Sequence, residues 1–123
     1  KLAALMPEKD YEFRATDEEM TFTEQLLHTA DNMNWLSSAY LFANAPVKRD
    51  PAIKLSKPEV LKVLAEAYDR GLQGHKKMTN MQLDEPVKFF AGPMTRRQIL
   101  ILMHDHQTHQ LIRKPQGRKT DYQ

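Results

Sequence analysis

The stretch from Thr21 to Ala45 contains neither proline nor glycine, and it constrains the fold more than any other feature of the sequence. Thr21 and Glu24 have the spacing of a capping box, in which both side chains bond to the first free N–H groups of a helix. Beyond them, apolar residues recur at three- and four-residue steps, as on one face of a helix. This face consists of Phe22, Leu26, Ala30, Met33, Leu36 and Tyr40, with a second apolar set of Trp35, Ala39 and Phe42 beside it. The pattern predicts a long helix over residues 22–44 that packs against two neighbours.

A second helix is predicted after a proline-rich loop at residues 45–58. Ser56 and Glu59 repeat the capping spacing, and Pro58 falls in the first turn, where proline is tolerated. The helix is expected to run over about residues 59–78. Its expected inner side is Val60, Leu61, Leu64, Tyr68 and Leu72.

A third helix is predicted near the end of the chain. Thr95 and Gln98 give a third capping pair, and Pro115 and Gly117 are expected to end the helix. Residues 79–93 form a crossover between the second and third helices, in which the segment 87–90 is expected to be extended.

Composition limits the fold and the partners. A chain of 123 residues is long enough for one domain, over residues 1–123, and too short for two. The net charge of +2, from 18 basic and 16 acidic side chains, is too balanced to indicate nucleic acid or a membrane surface. With no cysteine, a disulfide, a cysteine nucleophile and a cysteine-ligated zinc site are excluded. Apolar runs are far too short for a membrane span.

The predicted fold is all-α, an antiparallel four-helix bundle. The segment 1–7 has the pattern of a helix that ends at Pro7, so we expect the sequence to begin part-way through a first helix. Three long helices and this fragment make a bundle the economical architecture.

Three histidines near the end of the third helix are the strongest chemical feature. The apolar stripe of Ile99, Leu102 and Met103 continues at helical spacing to His106 and Gln110, whereas His104 lies further round. His109 flanks the same face. Two imidazoles at i and i+3 can reach one metal ion. The simpler interpretation, a solvated helix end where imidazole is favourable, stays open.

A third ligand is predicted from the long helix. His28 lies on the same side of that helix as Asn32 and Trp35, which directs its imidazole toward the interior of the bundle. Three histidines from two helices leave a metal position open, as in catalytic sites. Asp31 and Asp105 are candidates to orient imidazoles.

The remaining side chains that could carry chemistry have simpler structural interpretations. His75, Lys76, Lys77, Arg96 and Arg97 are expected at the surface, the two arginines at a solvated helix start. Trp35, Phe42, Phe89 and Phe90 are expected in the core, and Trp35 with the 85–93 crossover could also wall a substrate pocket.

The sequence resembles the DinB/YfiT-like family of helical-bundle proteins. The resemblance rests on the segment 4–36, which leads into His28, followed by "MTRRQILILMHDHQTH" at 94–109 and "KTDY" near the end. It implies a bundle with an up-down-down-up course and a divalent metal ion held by three histidines. The family includes thiol-dependent transferases and a thiol-dependent isomerase, so the resemblance implies an activity of this kind. The thiol would come from a cosubstrate such as bacillithiol, mycothiol or glutathione. Homodimers are common in the family.

The resemblance also implies where the ligands lie. His28 and His106 match the first two, and the third is expected four residues after His106, where this sequence has Gln110 instead of the "H-R-G-Q" of the family. Either three residues are missing from the sequence after His109, which we favour, or the protein has lost one ligand. In the second case His109 takes its place, with Gln110 as a weak oxygen ligand or none.

These observations lead to two functional hypotheses. The first is a metal-dependent enzyme in which His28, His106 and His109 hold zinc, nickel or a similar ion, and a thiol or water attacks a small-molecule substrate. This enzyme is expected to be a cytoplasmic homodimer with a role in stress response. The second is a non-catalytic bundle that serves as a stress-related interaction protein with a degraded site. A third hypothesis, nucleic-acid binding, is supported only by the basic pairs at residues 76–77 and 96–97.

Overall fold

The protein is mostly helical and carries one small sheet. The computed structural model describes residues 1–41 and 48–116, and of residues 111–116 it describes the backbone alone. The elements are α1 (Leu2–Leu5), a 3-10 turn (Glu8–Asp10), α2 (Phe22–Tyr40), α3 (Lys57–Lys76), α4 (Asn80–Asp84), β1 (Pro86–Phe89), β2 (Gly92–Thr95) and α5 (Arg96–Gln116). The prediction of an all-α chain is therefore wrong in the crossover.

The sheet is an antiparallel hairpin in which Pro86 faces Thr95 and Phe89 faces Gly92. Pro86 follows the last residues of α4 and cannot continue a helix, and the extended segment that follows was predicted from its β-forming side chains. Gly92 has a φ of 118°, a conformation that favours glycine and lets the chain reverse direction here.

Helix α2 begins as predicted, but the second set of side chains that it buries is not the predicted apolar one. The capping box is present: the Thr21 hydroxyl accepts from the Glu24 N–H at 3.1 Å, and the Thr21 N–H donates to the Glu24 carboxylate at 2.7 Å. The apolar face is buried at Leu26, Ala30, Met33 and Leu36, as predicted, but Trp35 and Ala39 are exposed. Four polar residues are buried as well, and they flank and interrupt the apolar face: Gln25, Thr29, Asn34 and Ser37. The helix ends at Tyr40, and Phe42 lies outside the described residues.

Helix α3 also begins as predicted, because the Ser56 N–H and hydroxyl both donate to the Glu59 carboxylate at 2.7 Å. Its inner side is rotated from the predicted one. Val60 is buried, whereas Tyr68 and Leu72 are exposed. The other buried positions carry the small residues Ala67, Gly71 and Gly74. Small residues let α2 and α3 approach closely, and a Cβ added at Gly74 would lie 2.5 Å from the Leu41 carbonyl oxygen.

Helix α5 keeps the predicted stripe. The Thr95 N–H donates to Gln98 Oε1 at 2.8 Å, which confirms the third capping pair. Ile99, Met103 and Gln110 are buried, and the helix runs two residues further than expected, through Pro115 to Gln116. The main core cluster joins α2, α3, α5 and the hairpin through Ala30, Met33, Leu36, Leu41, Ala67, Phe89, Ile99 and Met103.

Helix α2 packs against both α3 and α5, which gives a helical bundle of three long helices. A second cluster attaches the N-terminal segment, where the Tyr11 hydroxyl donates to the Ala3 carbonyl at 2.5 Å. Four residues of the expected first helix are helical, as α1. The up-down-down-up course of an antiparallel four-helix bundle stays a prediction.

Arg96 and Phe90 depart from their predicted environments. Arg96, expected in solvent, has a side chain only 14% exposed, since its Nε donates to the Tyr40 carbonyl at 2.9 Å and its Nη1 pairs with Glu85. The carbonyls at a helix end lack partners within the helix, so Tyr40 gains a donor from α5. Phe89 is buried as predicted, but Phe90 is 80% exposed.

Candidate metal centre

His28 of α2 and His106 of α5 lie against each other. Their ring centroids are 5.3 Å apart, with an angle of 62° between the ring planes. Helix α5 packs against α2, and His106 continues the partly buried stripe of α5 to the ring of His28. His28 is exposed, whereas we had expected its imidazole to lie toward an apolar interior.

His106 has the properties of a neutral nitrogen ligand. Its Nε2 atom is buried and has no hydrogen-bond partner in the described part of the chain. Burial lowers the pKa of its imidazole, and the neighbouring His28 and His109 lower the pKa further. Metal ions bind the neutral form of histidine, so this environment favours the protonation state that a ligand needs.

The other histidines of α5 differ in their surroundings. His109 is partly buried and lies three residues after His106, about one turn further along α5. The His104 side chain is 79% exposed, and its Nδ1 lies 3.7 Å from Asp105. His104 thus lies outside the histidine pair, as the stripe predicted.

Gln110, the residue four positions after His106, is buried to 3% exposure. Its Oε1 has no partner among the described residues, and the side chain lines a cavity of about 530 Å³ together with Leu26, Thr29 and Tyr68. Helix α5 passes through residues 109 and 110 without a break. The buried position agrees with the predicted stripe, although this cavity does not include His28.

Neither aspartate expected to orient an imidazole ligand does so. Asp31 accepts a hydrogen bond from Arg49 Nη2 at 2.8 Å, and Asp105 lies beside His104. Asp31 therefore forms an ion pair with Arg49, on the loop before α3, instead of a hydrogen bond with a histidine. Sequence reasoning missed Arg49, because a lone arginine in a proline-rich loop carries no motif.

His28 opens onto a cavity of about 400 Å³. Its walls come from the start of α2 and from the 51–55 loop, and Glu24, Asp31 and Arg49 contribute charged groups. A polar cavity beside the histidine pair gives a small molecule access to His28.

The aromatic side chains of α2 and the hairpin are in contact, but Trp35 does not line the cavity at His28. Trp35 is 41% exposed and lies with its ring centroid 6.2 Å from Phe89 and 6.1 Å from Phe90. Trp35 follows His28 by seven residues, which places it about two turns away on the same face of the helix.

The fit of a metal ion to these residues is partial. His28 and His106 offer two imidazoles, one with an orphaned buried nitrogen. Across residues 1–41 and 48–110, no three or more His, Asp or Glu side chains form a group that could hold an ion. The pair therefore suits two coordination positions, and a third ligand from the described side chains requires one of them to move.

A mostly helical bundle with paired histidines from two of its long helices defines a class of helical-bundle proteins with a candidate metal site. The sequence profile of the DinB superfamily matches residues 1–111, and the chain belongs to this superfamily. A search of curated proteins gives no match. Among the described helices, none is both long and apolar enough to cross a membrane.

Proposed function

We propose that the protein is a divalent-metal-dependent enzyme whose metal site is built from His28, His106 and His109. Membership of the DinB superfamily is consistent with this function. The observation that carries the proposal is the contact between His28 and His106, together with the buried, unpartnered Nε2 of His106.

Each residue has a distinct part in the proposed site. His28 and His106 hold the ion, and burial keeps His106 neutral. His109 is the third ligand in this proposal, because an imidazole three residues after His106 can reach the same ion after a change of rotamer. Zinc or nickel bound in such a site would lower the pKa of a coordinated thiol or water.

The proposed reaction is transfer of a thiol to an electrophilic small molecule. A bond forms between the sulfur and the electrophilic carbon, the bond to the leaving group breaks, and the thiol proton is released. The cavity at His28 supplies the entry. Trp35 and the hairpin form an apolar surface on the same face of α2 but do not line this cavity. The homodimer and the cytoplasmic location remain predictions.

Metal analysis tests the proposal. Purified protein dialysed against zinc or nickel is expected to retain about one ion per chain, as one three-histidine site requires. His28→Ala and His106→Ala are expected to lose the ion. His104→Ala is the matched control, because this exposed histidine lies on the same helix and is expected to keep it.

A different result favours the second hypothesis. If wild-type protein retains no ion and a chelator leaves its melting temperature unchanged, the enzyme proposal fails. The absence of a three-ligand group among the described side chains is the observation that favours a non-catalytic interaction protein.

A further inference from the structure

A second polar cleft lies between α2 and α3, away from the histidine pair. Its volume is about 340 Å³, within the range of small-molecule sites. The lining residues are Asp31, Asn34, Lys48, Arg49, Val63, Glu66, Asp69, Arg70, Gln73 and Lys77.

The charges of this cleft favour an anion. Four of its lining residues are basic and three are acidic. Two of the carboxylates already accept hydrogen bonds, Asp31 from Arg49 at 2.8 Å and Asp69 from Gln73 at 2.6 Å. One added negative charge would balance the lining, so a monoanion is the complementary ligand.

Arg49 is the group best placed to bind that anion. Its side chain is 20% exposed, and in the described part of the chain its guanidinium makes one hydrogen bond, to Asp31. Its Nε is buried without a partner. A guanidinium carries five N–H donors, and buried donors are normally satisfied, so Arg49 has capacity for a carboxylate.

Asn34 supplies a hydrogen-bond acceptor, whereas Arg49 supplies donors. It is 7% exposed, and its Oδ1 is buried with no hydrogen-bond partner within the described residues. Asn34 follows Asp31 by three residues, so their Cβ atoms are about 5–6 Å apart on one face of α2. Asn34 and Arg49 line the same cleft, so this wall offers an unpaired acceptor as well as a guanidinium.

We propose that this cleft binds a small molecule that carries one carboxylate and a nearby N–H group. The carboxylate binds Arg49, and the N–H donates to Asn34 Oδ1. Asp31 and Arg49 also line the cavity that contains His28, so the two cavities share one charged pair. Binding itself requires no metal ion, and the inference stands or falls independently of the proposed enzyme.

Three probes test the inference on metal-free wild-type protein. N-acetylglycine carries both groups, its methyl ester lacks the negative charge, and N-acetylsarcosine lacks the N–H. Titration followed by amide chemical shifts is expected to saturate with N-acetylglycine in the millimolar range. Each control probe is expected to bind about tenfold more weakly, which corresponds to about 1.4 kcal/mol.

Two variants assign the binding to the cleft. Arg49→Gln is expected to weaken N-acetylglycine binding about tenfold, as loss of a charged partner predicts. Arg97→Gln is the matched control, since Arg97 also bonds to an aspartate at 2.8 Å but lies outside the cleft. The inference is overturned if wild type does not saturate, if either control probe binds equally well, or if both variants bind alike. The probe comparison needs only wild-type protein, so it decides the question even where Arg49→Gln fails to fold.

Discussion

Gln110 is a buried side chain whose amide oxygen is not compensated within the described part of the chain. Its amide is almost fully enclosed, and Oε1 has no partner among the described groups. A buried polar group without a hydrogen bond costs about 1–3 kcal/mol. Gln110→Met keeps the length of the side chain and removes the amide, so we expect the free energy of unfolding in urea to rise by about 1 kcal/mol.

Gln107→Met is the control for this prediction. Gln107 is only partly buried and lines the same cavity, so its amide remains accessible to water. We expect a change within about 0.5 kcal/mol, as is usual away from buried polar groups. A loss of stability in Gln110→Met would show that the amide has a partner after all.

Glu59 links stability to pH at the start of α3. The N–H and hydroxyl of Ser56 donate to its carboxylate and lower its pKa below the ordinary range of glutamate. Because the folded pKa lies below the unfolded one, the stabilisation is complete above the unfolded pKa and is lost as pH falls through the folded pKa.

Urea unfolding of wild type and Glu59→Gln over a range of pH checks this direction. Wild type is expected to be the more stable at neutral pH, and the difference is expected to disappear in acid. Glu66→Gln removes the same charge from an exposed position of α3 and should not reproduce the profile. A difference that stays constant from neutral to acidic pH would contradict the assignment.

The helix starts could be predicted from the sequence because capping is local. Thr21, Ser56 and Thr95 each find their partner three residues ahead, so no other part of the chain has to be known. His106 could be placed for a related reason, since it continues the stripe of Ile99 and Met103. Its contact with His28 agrees with the prediction of a shared site, although His28 is exposed rather than directed to the interior of the bundle.

At the scale of elements, α3 lies close to the end of α2 because its buried positions are small. Gly74→Ala would bring a Cβ to 2.5 Å from the Leu41 carbonyl oxygen, and backbone cannot yield as a flexible side chain can. Alanine gains about 1 kcal/mol in helix propensity, but the clash outweighs it. We expect chemical denaturation to show a net loss of about 1–2 kcal/mol.

Gly71→Ala is the matched comparison on the same helix. The added Cβ would lie 3.4 Å from the ends of the Met33 and Ser37 side chains, which is near ordinary contact. We expect unchanged or slightly raised stability, because the propensity gain is not opposed by backbone. If both variants lose the same free energy of unfolding, the close approach of the Leu41 backbone is not the reason that position 74 requires glycine.

The inner side of α3 could not be predicted, because it depends on a neighbour. Periodicity favoured Tyr68 and Leu72, the larger side chains, yet the approach of α2 requires small ones and leaves both exposed. The exposure of Trp35 has the same kind of cause, since its ring packs on the hairpin rather than inside the bundle. The hairpin itself was only half anticipated, as an extended segment without a pairing partner.

For the whole molecule, the family and the pairing of two histidines were within reach of the sequence, whereas the charged lining of the clefts was not. Arg49 is far from any motif and lies beside Asp31 only because the loop before α3 returns to α2. Such contacts between distant segments depend on the course of the chain. They are the part of the site that spacing rules cannot supply.

The hydrogen bond from Arg96 to the Tyr40 carbonyl has a consequence for the order of folding. It joins positions 56 residues apart, and closing a flexible loop of that length costs on the order of 4 kcal/mol of chain entropy. Helices α2 and α3 are joined by a much shorter connection, so their docking costs less and shortens the remaining loop. We therefore expect Arg96 to fix α5 to the end of α2 after the α2–α3 pair has formed, so that this contact is a late step of folding.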